Sequence, residues 1–266
     1  MLSKLYETVL RLPSFRGKSR LEGALRARLR PRVSRIIHGI AMELDPEEWP
    51  QIELLKSGCL EPRTTVLFER LLKPGGVYVD VGAHVGYHAL CVRRLVGAEG
   101  RVVAIDPQPY NCHKLLINAE LNGFSNIMVI PAAAGAEDRF VFLKNQARSD
   151  KSRLTLREAG VNDRTARFSA PVVTLDAVQS LLQIKRLDML KIDVEGFELE
   201  VLQGAGAILA ETSHIIVEVL PSEELARILQ LQDLLQTAGF QLFDVEGAAW
   251  QPGRPAIENN VWARRN

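Results

Sequence analysis

From Lys73 onward the sequence alternates short β-branched runs with longer segments of helical period, and this restricts the fold more than any other feature. Runs such as GVYVDV (76–81), RVVAI (101–105) and LDMLKI (187–192) are nearly continuous in apolar residues, as strands covered on both faces are. Between them lie helical patterns at 85–96, 110–121, 174–182, 197–209 and 222–238. The 110–121 pattern stops at Asn122-Gly123, and Thr174 is placed to cap the 174–182 helix, with Ala177 where a capping box would carry Glu. Further strands are expected at 126–130, 215–219, 240–245 and 260–264, about seven in all. The expected fold is α/β, a Rossmann-like, mostly parallel sheet with helices on both faces. The stretch 137–173 lacks a long apolar helix and reads as an irregular β-rich insertion. With 266 residues, 47% of them hydrophobic and 24% charged, the chain can bury the core such a sheet needs.

The segment before this body differs from it. Residues 1–40 hold ten Lys or Arg against Glu7 and Glu22, a balance of +8, so a net charge of +1 leaves −7 for the rest. Leucines and Val9 interleave with these cations, giving a basic helical extension over 1–57 ahead of a domain at 58–266. Its plainest role is a solvated helix pair docked on the acidic body. Its functional alternatives are contact with an anionic membrane surface, with nucleic acid, or with a second copy of the chain. The scarcity of aromatic residues there disfavours nucleic acid. No apolar run reaches the ~18–20 residues of a membrane span, and no export signal is apparent. Cys59, Cys91 and Cys112 form no CxxC pair, as expected of reduced thiols in a cytoplasmic protein.

In an open α/β sheet, ligands bind beyond the carboxyl ends of the strands, where the strand order reverses. The first strand runs into Asp80-Val81-Gly82-Ala83-His84-Val85-Gly86, a turn in which Gly82 allows close backbone approach and Gly86 close helix packing. His84 stands where a dinucleotide fingerprint has its second glycine. That substitution argues for a nucleoside ligand without a pyrophosphate. Asp106 ends the second strand at the spacing of a ribose-binding acid. Turn-making alone would explain either glycine, but turn, helix and spaced acid together point to a nucleoside. Asp193 and Glu218 end the fourth and fifth strands, where carboxylates are costly to bury unless paired, hydrogen-bonded or metal-bound. Helix capping at Asp193 and a lysine partner for Glu218 are the structural alternatives. His38, His113 and His214 receive no role, His88 reads as scaffold, and Trp49, Trp250 and Trp262 read as core.

Four stretches resemble the FkbM family of S-adenosylmethionine-dependent methyltransferases. They are GCLEPRTTVLFERLLKPGGVYVDVGAHVGYHAL (58–90), RVVAIDPQPYNCHKLLINAELNG (101–123), LDMLKIDVEGFELEVLQGA (187–205) and IIVEV (215–219), in the family's order. The VDVGAxxGY turn with KIDVEG is the specific part. The resemblance implies a class I methyltransferase fold with S-adenosylmethionine as cofactor. Asp80, Gly82, Ala83, His84 and Gly86 would surround the methionine part of the donor. Asp106 would take its ribose, Ala133 in the 132–135 turn would lie near adenine, and Asp193 would close the site. The family usually carries Asn at position 84 and Glu at position 106, and both replacements keep a polar group.

The implied reaction is methyl transfer to a hydroxyl of a small-molecule or glycan acceptor, a carbohydrate or natural product. Asp193 is the first candidate for the general base and Glu218 the second. Two oxygen ligands without a third leave no metal assigned. Two rival classes remain: an NAD(P)-dependent oxidoreductase, which would share the sheet and Asp106, and a non-catalytic nucleic-acid or membrane-surface binder working through the basic arm.

Overall fold

The computed structural model describes residues 2–29, 33–46, 48–147, 154–160 and 162–265. Its centre is a seven-stranded sheet in the order β12–β13–β11–β10–β3–β4–β5. The strands are β3 (Val77–Val81), β4 (Arg101–Ile105), β5 (Ile127–Ile130), β10 (Leu187–Ile192), β11 (Thr212–Glu218), β12 (Phe240–Asp244) and β13 (Asn260–Arg265). Every neighbouring pair is parallel except those that β13 makes with β11 and β12. The chain order reverses between β3 and β10, so the carboxyl ends of these two strands flank a switch point.

Strand parity sorts the core into two layers. Val79, Val81, Val103, Ile105, Leu190, Ile192, Ile215 and Val217 pack on one face against α7 (Leu175–Leu182), α8 (Glu198–Gln203), α9 (Gly206–Ala210) and α10 (Leu225–Thr237). Tyr78, Val102, Ala104, Met189 and Ile216 pack on the other against α4 (Pro62–Leu71), α5 (Tyr87–Val96) and α6 (Pro109–Leu121). This α/β architecture, a mostly parallel sheet with helices on both faces, is the one expected from the alternating runs.

Three features depart from the sequence-based expectation. The 137–173 insertion is β-rich as expected but regular in its described residues: β7 (Arg139–Ala147), β8 (Leu154–Ala159) and β9 (Phe168–Val173) join β6 (Ala133–Ala134) in a second, four-stranded sheet. The N-terminal extension contains, besides α1 (Leu2–Arg11) and α2 (Lys18–Leu29), an antiparallel pair β1 (Val33–Ile37) and β2 (Ile40–Leu44), followed by α3 (Trp49–Ser57). Tyr6, Val9, Leu10 and Leu25 share a core with Ile40, Met42, Leu54, Val85, Leu90 and Ala119, so the arm is packed on the body. Asn118 and Asn122 of α6 stitch β2 to the body, accepting from the N–H groups of Glu43 (2.7 Å) and Ala41 (2.8 Å).

The third departure is the expected helix 197–209, which is two helices. Asp176 of α7 accepts from the N–H groups of Ala207 and Ile208, both at 2.9 Å, and so starts α9 afresh. Gly204 sits at the break against the backbone of Gly135, and a Cβ there would lie 2.1 Å from the Gly135 carbonyl oxygen. Thr174 caps α7 as expected, accepting from Ala177 N–H at 3.1 Å. Gly204→Ala should therefore lower the free energy of unfolding by about 1–3 kcal/mol, because the clashing partner is backbone. Gly23→Ala, in α2 with nothing within 4 Å, should raise it by up to about 1 kcal/mol. Denaturant midpoints at equal m-value check both.

Candidate active site

Two turns meet at the switch point. After β3, Gly82 adopts φ +85° and donates its N–H to Ile105 O at 2.8 Å. A Cβ on Gly82 would lie 1.8 Å from the carbonyl oxygen of Asp193, so only glycine lets the turns after β3 and β10 touch. His84 also has positive φ, +50°. Asn and His are among the side chains that tolerate this region, which gives the His84 replacement a backbone reason. Asp106 fastens the turn from the neighbouring strand: Oδ2 accepts from His84 N–H (2.9 Å) and Oδ1 from Gln108 N–H (2.8 Å) and Asn111 Nδ2 (3.1 Å). Burial outweighs these bonds and lifts the Asp106 carboxyl to about 6. Gly86 starts α5 at φ +89°.

These turns form one wall of a cleft of about 910 Å³, near the top of the ~300–1,000 Å³ usual for ligand sites and so roomy enough for two reactants. Asp80, Gly82, Ala83, His84, Asp106, Ala133, Asp193 and Glu218 all line it, whereas Gly86 lies just outside. The inserted sheet contributes Arg139, Val141, Leu143 and Val172, and α3 contributes Pro50, Glu53 and Leu54. Trp250 and Trp262 are buried in the core, as expected from sequence.

At the floor lies Lys191, 2% exposed, in cross-strand register with Asp80. Its Nζ is 2.7 Å from Asp193 Oδ2 and 4.0 Å from Glu61 Oε2. Burial disfavours its charge, but Asp193, Glu61 and Asp80 outweigh that and hold it above the ordinary lysine value. Asp193 gains reciprocally: burial opposes its charge, yet the Lys191 ammonium keeps it below the usual carboxylate range. Asp80 has no such contact, and burial raises it to about 7, with Oδ2 buried and unpartnered. Asp193 does not cap a helix, the structural alternative expected for it; it pairs with Lys191, whereas the lysine partner was expected for Glu218. Glu198 does the local capping, accepting from Val194 N–H (3.0 Å) and Gly196 N–H (3.1 Å).

Glu218 behaves oppositely to Asp193. Burial, then repulsion from Asp193, Glu195 and Glu198, pushes its carboxyl to about 10, so it carries a proton at neutral pH. One oxygen each from Asp193, Glu195 and Glu218 lie within 4.8 Å of one another. Two neighbouring carboxyls are thus pushed to opposite charge states. His84 and His88 are held neutral by burial, His84 at about 4 and His88 well below its ordinary value. They serve as uncharged walls.

The family model described as "Methyltransferase FkbM domain" matches residues 80–242, well over half of the chain. The chain belongs to the FkbM methyltransferase family. Methyltransferase sdnD of Sordaria araneosa is 27% identical over 216 residues, covering 70% of this chain and 80% of that protein. The AMB antimetabolite synthetase AmbE of Pseudomonas aeruginosa is 29% identical over 65% of this chain, which corresponds to 10% of that much longer protein. The crystal structure of methyltransferase FkbM from Methylobacillus flagellatus is similar at 18% identity and TM-score 0.46, covering 97% of this chain and 57% of that one. This chain is thus an S-adenosylmethionine-dependent methyltransferase, and the oxidoreductase and non-catalytic readings give way. The residues fit the donor: the Gly82 turn lines the cleft, and Asp80 Oδ2, buried without a hydrogen-bond partner, would accept from its ammonium group.

Sequence reasoning missed Lys191, Glu61, Glu195 and Glu198 as site residues. A lysine inside LDMLKI was the signal for the first. Glu61, just before α4 in the 58–90 stretch, gave none, because only the fold brings it to Lys191. It is held by Asn260 Nδ2 at 2.8 Å. Burial lifts Glu61 to about 6, Asp80 and Glu198 to about 7, and Glu218 to about 10. A carboxyl whose folded pKa is raised stabilises the fold below its unfolded pKa, and that contribution is lost as pH rises toward the folded one. Urea midpoints of the ligand-free protein should therefore fall between pH 5 and pH 8, each group contributing at most about 1.4 kcal/mol per pH unit. Glu218→Gln should flatten the fall. Asp193, shifted the other way, is ionised throughout this window.

Proposed function

We propose that this methyltransferase transfers the methyl group to a hydroxyl of a small-molecule acceptor, a carbohydrate or natural product, with Asp193 as general base. The observation carrying this reading is that an ionised Asp193 and a protonated Glu218 end adjacent strands and open into the cleft that holds the glycine turn. A relative named as an antimetabolite synthetase supports a small-molecule acceptor.

When bound, S-adenosylmethionine supplies an electrophilic methyl on a sulfonium leaving group. An aliphatic hydroxyl is a weak nucleophile at neutral pH, so the chain's part is to orient it and take its proton. Asp193 would accept that proton from the hydroxyl, and the bound donor would supply the methyl group and its leaving group. Lys191 steadies the Asp193 carboxylate from below, and protonated Glu218 can donate a hydrogen bond that orients the acceptor. Val141, Leu143 and Val172 of the inserted sheet give the cleft an apolar wall that excludes water.

Asp193→Asn should lower kcat by about 10²–10⁴, with the donor affinity measured by calorimetry unchanged within a few-fold. Glu218→Gln mimics the protonated acid and should retain most turnover. The three-carboxylate set motivates a second reading, in which a divalent cation bridges Asp193, Glu195 and Glu218. Turnover that survives dialysis against EDTA supports the base mechanism, and loss restored by magnesium hands the role to the cation.

A further inference from the structure

The docked N-terminal arm leaves an outer surface that is both cationic and apolar. α1 spends Tyr6, Val9 and Leu10 on the core, and α2 spends Leu25. Outward are left Leu5 (50% exposed), Leu12 (43%), Phe15 (46%) and Leu21 (41%). Leu5 lies on α1 and Leu21 on α2, and Leu12 and Phe15 sit on the turn between the two helices. Lys4, Arg16 and Arg20 are exposed beside them, with no carboxylate partner among the described residues. The turn is braced from within: Lys18 Nζ donates to Leu10 O at 3.3 Å and also to Leu12 O, and pairs with Glu22 at 3.7 Å. The apolar side chains are therefore held outward at a cost that only a covering partner would remove.

We propose that the α1–α2 turn is a peripheral docking surface for an anionic lipid bilayer. Leu12 and Phe15 enter the headgroup boundary, and Lys4, Arg16 and Arg20 bind the anionic headgroups. The charge selects the occupant. A second copy docking arm to arm would set two segments of balance +8 against each other. A nucleic acid would satisfy the cations but leave three exposed leucines against phosphate, with Phe15 the sole aromatic available to stack. An anionic bilayer satisfies both kinds of side chain. The docked arm is also tied to the cleft: Arg11 Nε donates to Lys56 O at 2.9 Å and Arg35 to Leu54 O at 2.5 Å, and both acceptors lie on α3, which lines the cleft. Docking would thus hold the methyl-transfer site beside the membrane. This surface stands apart from the assignment of the acceptor.

Flotation of the full chain with vesicles tests it, comparing phosphatidylcholine alone with a mixture holding about 30% phosphatidylglycerol. The mixed vesicles should bind about tenfold more protein, and raising salt from about 50 to 300 mM should weaken binding several-fold. The pair Arg16→Glu with Arg20→Glu, and separately Leu12→Ser with Phe15→Ser, should each reduce binding at least about fivefold. Both pairs should leave S-adenosylmethionine affinity unchanged, because these residues lie outside the cleft. Equal binding to both vesicles, no binding, or binding that neither pair alters would overturn the proposal. So would a dimer that the Leu12→Ser, Phe15→Ser pair splits, or RNA binding lost with the arginines, in a protein that ignores vesicles.

Discussion

The buried ammonium of Lys191 is the contact on which the site depends. A sheet that ends several strands in carboxylates at one switch point brings like charges together in a low-dielectric setting, and such a set survives only by pairing or by taking up protons. Lys191, 2.7 Å from Asp193, pairs with one of them and leaves the others to be neutralised by protons. The division of labour follows: Asp193 stays ionised, Asp80 and Glu61 sit near neutrality, and Glu218 keeps its proton. One cation thereby leaves Asp193 ionised beside a protonated Glu218.

The donor side of the cleft follows a complementary principle, backbone fit. Gly82 allows the turns after β3 and β10 to meet, and Asp106 ties His84 in the turn to the end of β4. Asp106 thus spends much of its hydrogen-bonding capacity inside the protein, shaping the turn that a ligand would meet. The same economy holds after β10, where Glu198 binds the backbone of Val194 and Gly196 and fixes the loop carrying Asp193 and Glu195. Precise placement of reacting groups needs this kind of secondary support.

Much of the architecture was legible in the letters because it rests on local periodicity. β4 and β10 fall where the apolar runs predict, and Thr174 caps α7 as its position implies. The docked helix pair and the β-rich insertion were legible in outline, but the β1–β2 pair, the strand order of the inserted sheet and the break at Gly204 were not. β1–β2 lacks a distinctive alternation, and its partners are Asn118 and Asn122 of a helix far along the chain. The division of 197–209 arises from Asp176 reaching across from another helix.

Within the site, the sequence by itself determined which residues end the strands, and hence that Asp80, Gly82, Asp106, Asp193 and Glu218 lie at one edge of the sheet, because strand ends follow from the pattern of apolar runs. Only the tertiary structure decided their charge states. Those depend on the register that sets Lys191 opposite Asp80, on α4 carrying Glu61 beneath them, and on the depth at which Glu218 meets Asp193 and Glu195. Periodicity is a property of neighbours in the chain, whereas protonation is set by distances and burial among groups that only folding brings together.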